Sequence, residues 1–192
     1  MRFLVNIGAM LVVALVVGFG LSWYALTDGR LFGAIAIGPW QAWKDVGTPS
    51  PDPYTRAFIA RSGSLELGIS EGIQFVATTD SDNRRLDRGC RYRIDGNTPA
   101  ARFWTLVPVA PDNGAPIARE DGPTDFHSAR LSRAGDGSVA LYVSKTLAPQ
   151  NWLEITGEGP FDLMLTLYDT ASFSGTTSEI TALPAIIREA CI

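Results

Sequence analysis

No charged residue falls between Arg2 and Asp28, and Asn6 is the one strongly polar side chain in the interval. A helix over residues 3–27, rising 1.5 Å per residue, is long enough to cross a bilayer's hydrocarbon core of about 30 Å. The run Leu11–Val17 sits inside this longer stretch, so the span exceeds a typical signal-peptide core. A cleavage site also needs small residues, yet the end of the stretch reads Trp23-Tyr24-Ala25-Leu26-Thr27. Residues 1–27 are therefore read as a retained transmembrane anchor, with a cleaved signal as the alternative. Trp23 and Tyr24 fit the aromatic belt of a membrane interface. Arg2 and the N-terminal amine favour an N-inside orientation, which sends the rest of the chain outward.

Ala14, Gly18 and Ser22 fall four apart on one helix face. Such a small-residue stripe lets two membrane helices approach closely and self-associate, although small residues are common in membrane helices generally. Leu31–Trp43 is apolar but too short to span, and Gly33, Gly38 and Pro39 interrupt it. Trp40 and Trp43 follow a Gly-Pro beside the anchor and are expected at the membrane surface. Residues 28–53 read as a juxtamembrane segment ending in a proline-rich linker, 44–53. The exported domain is placed at 54–192.

One of the 16 basic residues is Arg2, which leaves 15 against 20 acidic ones, a formal charge of −5 for the exported part. Nucleic acid is excluded as a partner by that balance, since it wants clustered Lys and Arg. The length suits one ordinary domain with a real core. The two cysteines, Cys90 and Cys191, read as one disulfide in an oxidising compartment, or as two free thiols if the domain faces the cytoplasm.

Pro53–Arg61 predicts a short helix, with Asp52 as its cap and proline in its first turn. Beyond Gly72 the pattern turns to short strands: 73–79, 90–94, 103–110, 127–132, 139–144, 152–156 and 161–168. Turn signals such as Asp95-Gly96-Asn97 and Asp112-Asn113-Gly114 separate them. The expected fold is mainly β: an antiparallel sandwich or jelly roll with one or two short helices. The tail 183–192 is left as a helical turn or an edge strand.

Several fragments carry a resemblance. They are Gly38-Pro39-Trp40, Asp52-Pro53-Tyr54-x-Arg56-Ala57, Cys90-Arg91-Tyr92-x-Ile94-x-Gly96 and Ala101–Leu106. Asp136-Gly137-Ser138, Asn151-Trp152-Leu153, Leu165-x-Leu167-Tyr168-Asp169 and Pro184-x-Ile186-x-Arg188-x-x-Cys191 complete the set. In order and spacing, over residues 38–191, they resemble short, membrane-anchored members of a bacterial family, domain of unknown function twelve-fourteen. The resemblance implies a jelly-roll-like fold and an envelope setting, with longer relatives carrying the domain as the C-terminal half of a two-domain protein. It implies no assigned reaction.

Asp80-Ser81-Asp82-Asn83 opens like a calcium loop, but Arg84, Arg85 and Arg91 occupy positions that need a ligand, a glycine and a closing glutamate. A polar hairpin turn is the reading, and no metal or other cofactor is expected. His127 is the only histidine and no Gly-x-Ser-x-Gly elbow exists, so His127 is a weak catalytic candidate. Arg91 and Arg93 share one face of their strand, and Arg102 lies nearby in sequence. Either the three pair with surface carboxylates, or they hold a carboxylate or phosphate ligand by fork geometry.

The sequence thus points to a non-enzymatic envelope protein. Residues 3–27 lie in the inner membrane and the domain binds a protein, glycan or lipid in the periplasm. The competing expectation is a hydrolase with a cleft near Arg91, Arg102 and His127. A third is a structural subunit of a membrane complex.

Overall fold

The computed structural model describes residues 2–27, 34–43, 46–62, 67–68, 71–96, 101–119, 121–133, 139–169 and 182–191. Helix α1 runs Arg2–Thr27, and its first 23 residues, Arg2–Tyr24, are long and apolar enough to cross a membrane. None of that span is buried against the rest of the chain. No acidic side chain stands in its first turn and no basic one in its last. A helix uncharged from residue 3 to residue 27 and left bare in this way has no polar face to turn to water.

The remainder is a β-sandwich. A six-stranded sheet has the order β1-β2-β3-β9-β5-β6 and a four-stranded sheet the order β10-β4-β7-β8. The first sheet comprises β1 (Ala34–Ile37), β2 (Trp40–Trp43), β3 (Gly72–Ala77), β5 (Phe103–Val109), β6 (Phe126–His127) and β9 (Asp162–Tyr168). The second comprises β4 (Cys90–Asp95), β7 (Ala140–Ser144), β8 (Asn151–Glu154) and β10 (Ala185–Cys191). Alternation drives both: in β4, Cys90, Tyr92 and Ile94 are buried while Arg91, Arg93 and Asp95 are not. In β9, Leu163, Leu165 and Leu167 point inward. Residues of both sheets fill one core, which includes Trp40, Phe75, Tyr92, Leu141, Leu153 and Leu163. Tyr92 and Phe161 meet edge to face across it, ring centroids 5.7 Å apart.

Helix α2 spans Pro53–Ser62, as the sequence predicts, and Asp52 caps it by accepting hydrogen bonds from the Thr55 N–H (3.2 Å) and hydroxyl. The tail resolves as an edge strand, β10, paired antiparallel to β4.

Three expectations are corrected. The first is the domain boundary: residues 34–43, placed in the juxtamembrane segment, belong to the sandwich. They form the β1–β2 hairpin, and β2 pairs with β3, so the sheet begins inside the expected juxtamembrane segment. Gly38 turns this hairpin at φ +58°, and Pro39 holds the next φ negative, the combination of a type II′ turn. Second, of the expected strand 127–132 only His127 lies in a strand, the two-residue β6, and Ser128–Arg130 is a 3-10 turn. Third, the sandwich is not wholly antiparallel, because β7 and β8 run parallel across a connection of only residues 145–150.

Candidate functional site

The four-stranded sheet presents an outer face built by register. Ile187 on β10 opposes Arg93 on β4, Arg93 opposes Tyr142 on β7, and Tyr142 opposes Trp152 on β8. All four side chains are partly exposed. A cation and two aromatic rings are therefore lined up across the sheet, one strand apart.

The structure separates the three candidate arginines. Arg93 is neutralised by Asp95 (2.8 Å) and Glu189 (3.3 Å). Arg102 precedes β5 in the other sheet and pairs loosely with Asp169 at 3.4 Å, both side chains largely exposed. Such a pair contributes little to stability. Arg91 enters none of the ion pairs among the described residues. Its Nη2 instead donates to the Thr146 hydroxyl at 2.8 Å.

Thr146 connects Arg91 to Trp152. The Trp152 indole N–H donates to the carbonyl (3.1 Å) and hydroxyl (3.2 Å) oxygens of Ser144. The Ser144 hydroxyl donates in turn to the Thr146 carbonyl at 2.7 Å. This chain fixes the indole and the guanidinium relative to each other, on the same outer face. Glu154, two residues beyond Trp152, is taken by Arg119.

His127 stands elsewhere. It lies on β6 opposite Thr105, beside the Phe103 ring at 5.6 Å, and its neighbour Phe126 is the one that turns into the core. Its Nδ1 is sealed from solvent with no partner among the described residues. Arg91 and His127 belong to different sheets and both point away from the shared core. The cleft expected around Arg91, Arg102 and His127 does not come together.

Cys90 and Cys191 are register partners at the end of the β4–β10 pairing and are joined as a disulfide. A second clasp on β10 has no sequence signal beyond its charges. Asp80, 1% exposed, accepts from the backbone N–H of Asp82 (3.0 Å) and Arg84 (2.9 Å) and pairs with Arg188 Nε at 2.9 Å. Burial alone pushes the Asp80 carboxyl upward. The two backbone donors and the guanidinium groups of Arg188 and Arg84 outweigh it and hold the group below its ordinary range. Arg188 also lies over the Tyr92 ring, 5.4 Å from its centroid. Burial pushes the Tyr92 hydroxyl upward, and the N–H of Asp87 that it accepts only partly opposes this. The 80–85 segment is thus a turn clasping β10. No group of three His, Cys, Asp or Glu side chains suited to a metal occurs among the described residues.

Trp40 is corrected from its expected place at the membrane surface. It is fully buried, and its indole N–H donates to the Pro184 carbonyl at 2.7 Å, stitching β2 to the chain just ahead of β10. Trp43 lies on the opposite face of β2, partly exposed. Trp23 and Tyr24 are exposed on the last turns of α1.

Comparison with a solved structure shows a like fold. A Vibrio parahaemolyticus protein, VPA0106, superposes with a TM-score of 0.57 at 19% identity, over 74% of this chain and 36% of its own. An uncharacterized protein of Burkholderia cenocepacia gives a TM-score of 0.45 at 18% identity, over 88% of this chain and 39% of its own. The chain therefore spans little more than a third of either. No curated protein matches. Residues 71–172, which run from the start of β3 past the end of β9, match the family described as "Protein of unknown function (DUF1214)". That match covers more than half of the chain, and the chain belongs to this family.

Proposed function

We propose that this is a single-pass protein of a bacterial inner membrane, N-terminus inside, that holds an oxidised β-sandwich in the periplasm as a binding or assembly module rather than as an enzyme. The observation that carries the reading is one chain combining a bare apolar helix with a disulfide-closed domain. A helix uncharged beyond Arg2 suits lipid, and a disulfide persists where the compartment is oxidising. Trp23 and Tyr24 end the helix as interfacial anchors. Only residues 28–33 separate α1 from β1, so the sandwich stays within about 25 Å of the helix end even with that segment fully extended. A domain tethered so closely works at the membrane surface.

The test is carbonate extraction of membranes carrying the full-length protein, with free thiols alkylated before reduction. The reading requires the intact chain, Met1 or Arg2 at its N-terminus, in the carbonate-resistant pellet with neither cysteine modified. Release of a chain beginning beyond residue 20 makes the helix a cleaved signal. Two alkylated cysteines place the domain in a reducing compartment.

A further inference from the structure

We propose that the outer face of the four-stranded sheet binds an acidic sugar residue, Arg91 taking its carboxylate and Trp152 the C–H face of its ring. The proposal supplies a ligand for the binding module described above and rests on that reading.

Arg91 is one of several cations, Arg88, Arg130 and Arg133 among them, that enter no ion pair among the described residues, and it is the one on the face that carries Tyr142 and Trp152. The exported part carries five more acidic than basic residues, yet no carboxylate among the described residues pairs with Arg91. Arg93, two residues away on the same face, has two carboxylate partners, and Glu154 is already held by Arg119. A guanidinium has five donors, and Arg91 commits one region of its fork to Thr146. The remainder is available in the planar, bidentate geometry that suits a carboxylate. Lys145, exposed immediately after β7, adds a second positive charge to the adjoining loop.

The neighbouring groups define what the anion is attached to. Trp152 and Tyr142 are register partners on this face, and the indole is held through Ser144 and Thr146 to Arg91 itself. A fixed aromatic surface beside a fixed guanidinium presents one flat apolar patch, one cation and hydroxyl groups at their edge. A pyranose acid offers the matching set: an apolar C–H face, a carboxylate and a rim of hydroxyls. The hydrogen-bond chain supplies the rigidity that keeps ordering costs low on binding.

The experiment uses full-length protein in detergent micelles, labelled with ¹⁵N at its five tryptophans. The indole signal of Trp152 is assigned by its loss in W152F. Trigalacturonate, maltotriose and inorganic phosphate are titrated separately at matched ionic strength. Saturable movement of the Trp152 signal with trigalacturonate alone is expected. R91Q should weaken that binding about tenfold or more, the scale of a charge-assisted hydrogen-bond pair. R93Q, whose charge is already neutralised, should bind within about twofold of the parent protein. No movement with trigalacturonate, or equal movement with maltotriose, overturns the acidic-sugar assignment. Equal movement with phosphate makes the site a general anion site and also overturns it. Equal loss in R93Q transfers the effect to overall charge and removes Arg91 from its role. The titration reads the site and the carbonate experiment reads the compartment, so failure of either is recognised without the other.

Discussion

Arg188 places its Nε 2.9 Å from the buried carboxylate of Asp80, so the last strand of the domain is clasped by a residue from the β3–β4 connection. Asp80 is 1% exposed and the Arg188 side chain 17%, which makes this a largely desolvated pair. Removing one partner strands the other charge, a loss of about 3–5 kcal/mol for buried pairs. D80N keeps the shape and discards the charge, so its urea midpoint should fall well below that of the parent protein. An unchanged midpoint would mean that the pair contributes nothing net.

The same carboxylate sets a pH dependence. Its folded pKa is depressed, so its contribution is complete above the unfolded value of about 3.9 and is lost as pH falls through the folded one. Urea midpoints should therefore drop steeply below about pH 4, and D80N should flatten that slope. Identical slopes in the two proteins would remove Asp80 from the account.

Cys90 and Cys191 close a loop of 101 residues in sequence separation. Their bridge should stabilise the domain by up to about 4.7 kcal/mol on the chain-entropy view. A thermal scan with and without reductant measures it, and C191S should reproduce the reduced value. The β10 strand should remain paired in the reduced protein at low temperature, because Asp80 still holds Arg188. Loss of β10 amide protection on reduction at 25 °C would contradict that.

Trp40 offers a direct contrast with Trp23. W40F removes the donor to Pro184 and should cost about 1 kcal/mol, whereas W40A empties a core position and should cost about 3–5 kcal/mol. In vesicles with brominated acyl chains, a variant retaining only Trp23 should be quenched and one retaining only Trp40 should not. Quenching of Trp40 would contradict its burial beneath the sheet.

A methyl group built at Gly18 meets no atom within 4 Å, so G18I is accommodated by a single helix. If Ala14, Gly18 and Ser22 form a dimer seam, G18I should lower helix association several-fold in a membrane reporter. Unchanged association removes the seam.

Where alternation was strong, the sequence was legible. Leu163, Leu165 and Leu167 announced β9, and Tyr92 with Ile94 announced the inner face of β4 and therefore the outward Arg91 and Arg93. The β1–β2 hairpin was hidden because Gly38-Pro39 reads as an interruption of an apolar stretch rather than as the turn between two four-residue strands. Trp40 drew a membrane role from its nearness to α1 in sequence, while the sheet register carried it into the core. His127 opens an apparent strand in the sequence but closes β6 in the structure, because the 3-10 turn at Ser128–Arg130 breaks the pairing. The parallel β7–β8 pair and the Arg91–Thr146–Trp152 chain depend on three-dimensional return of the chain, and no local pattern encodes that return. Charge counts give the domain's acidity, but that Arg93 meets Asp95 and Glu189 while Arg91 meets Thr146 follows from the register and the return of the chain.

The central claim is that the sandwich stands on the outer surface of the inner membrane, tethered by α1. Protease treatment of intact spheroplasts carrying the full-length protein tests it most directly. The account predicts that the domain is digested from outside without lysis, and that a peptide containing residues 2–27 remains in the membrane. A domain protected until the spheroplasts are broken, or found free of the membrane before protease is added, would contradict it.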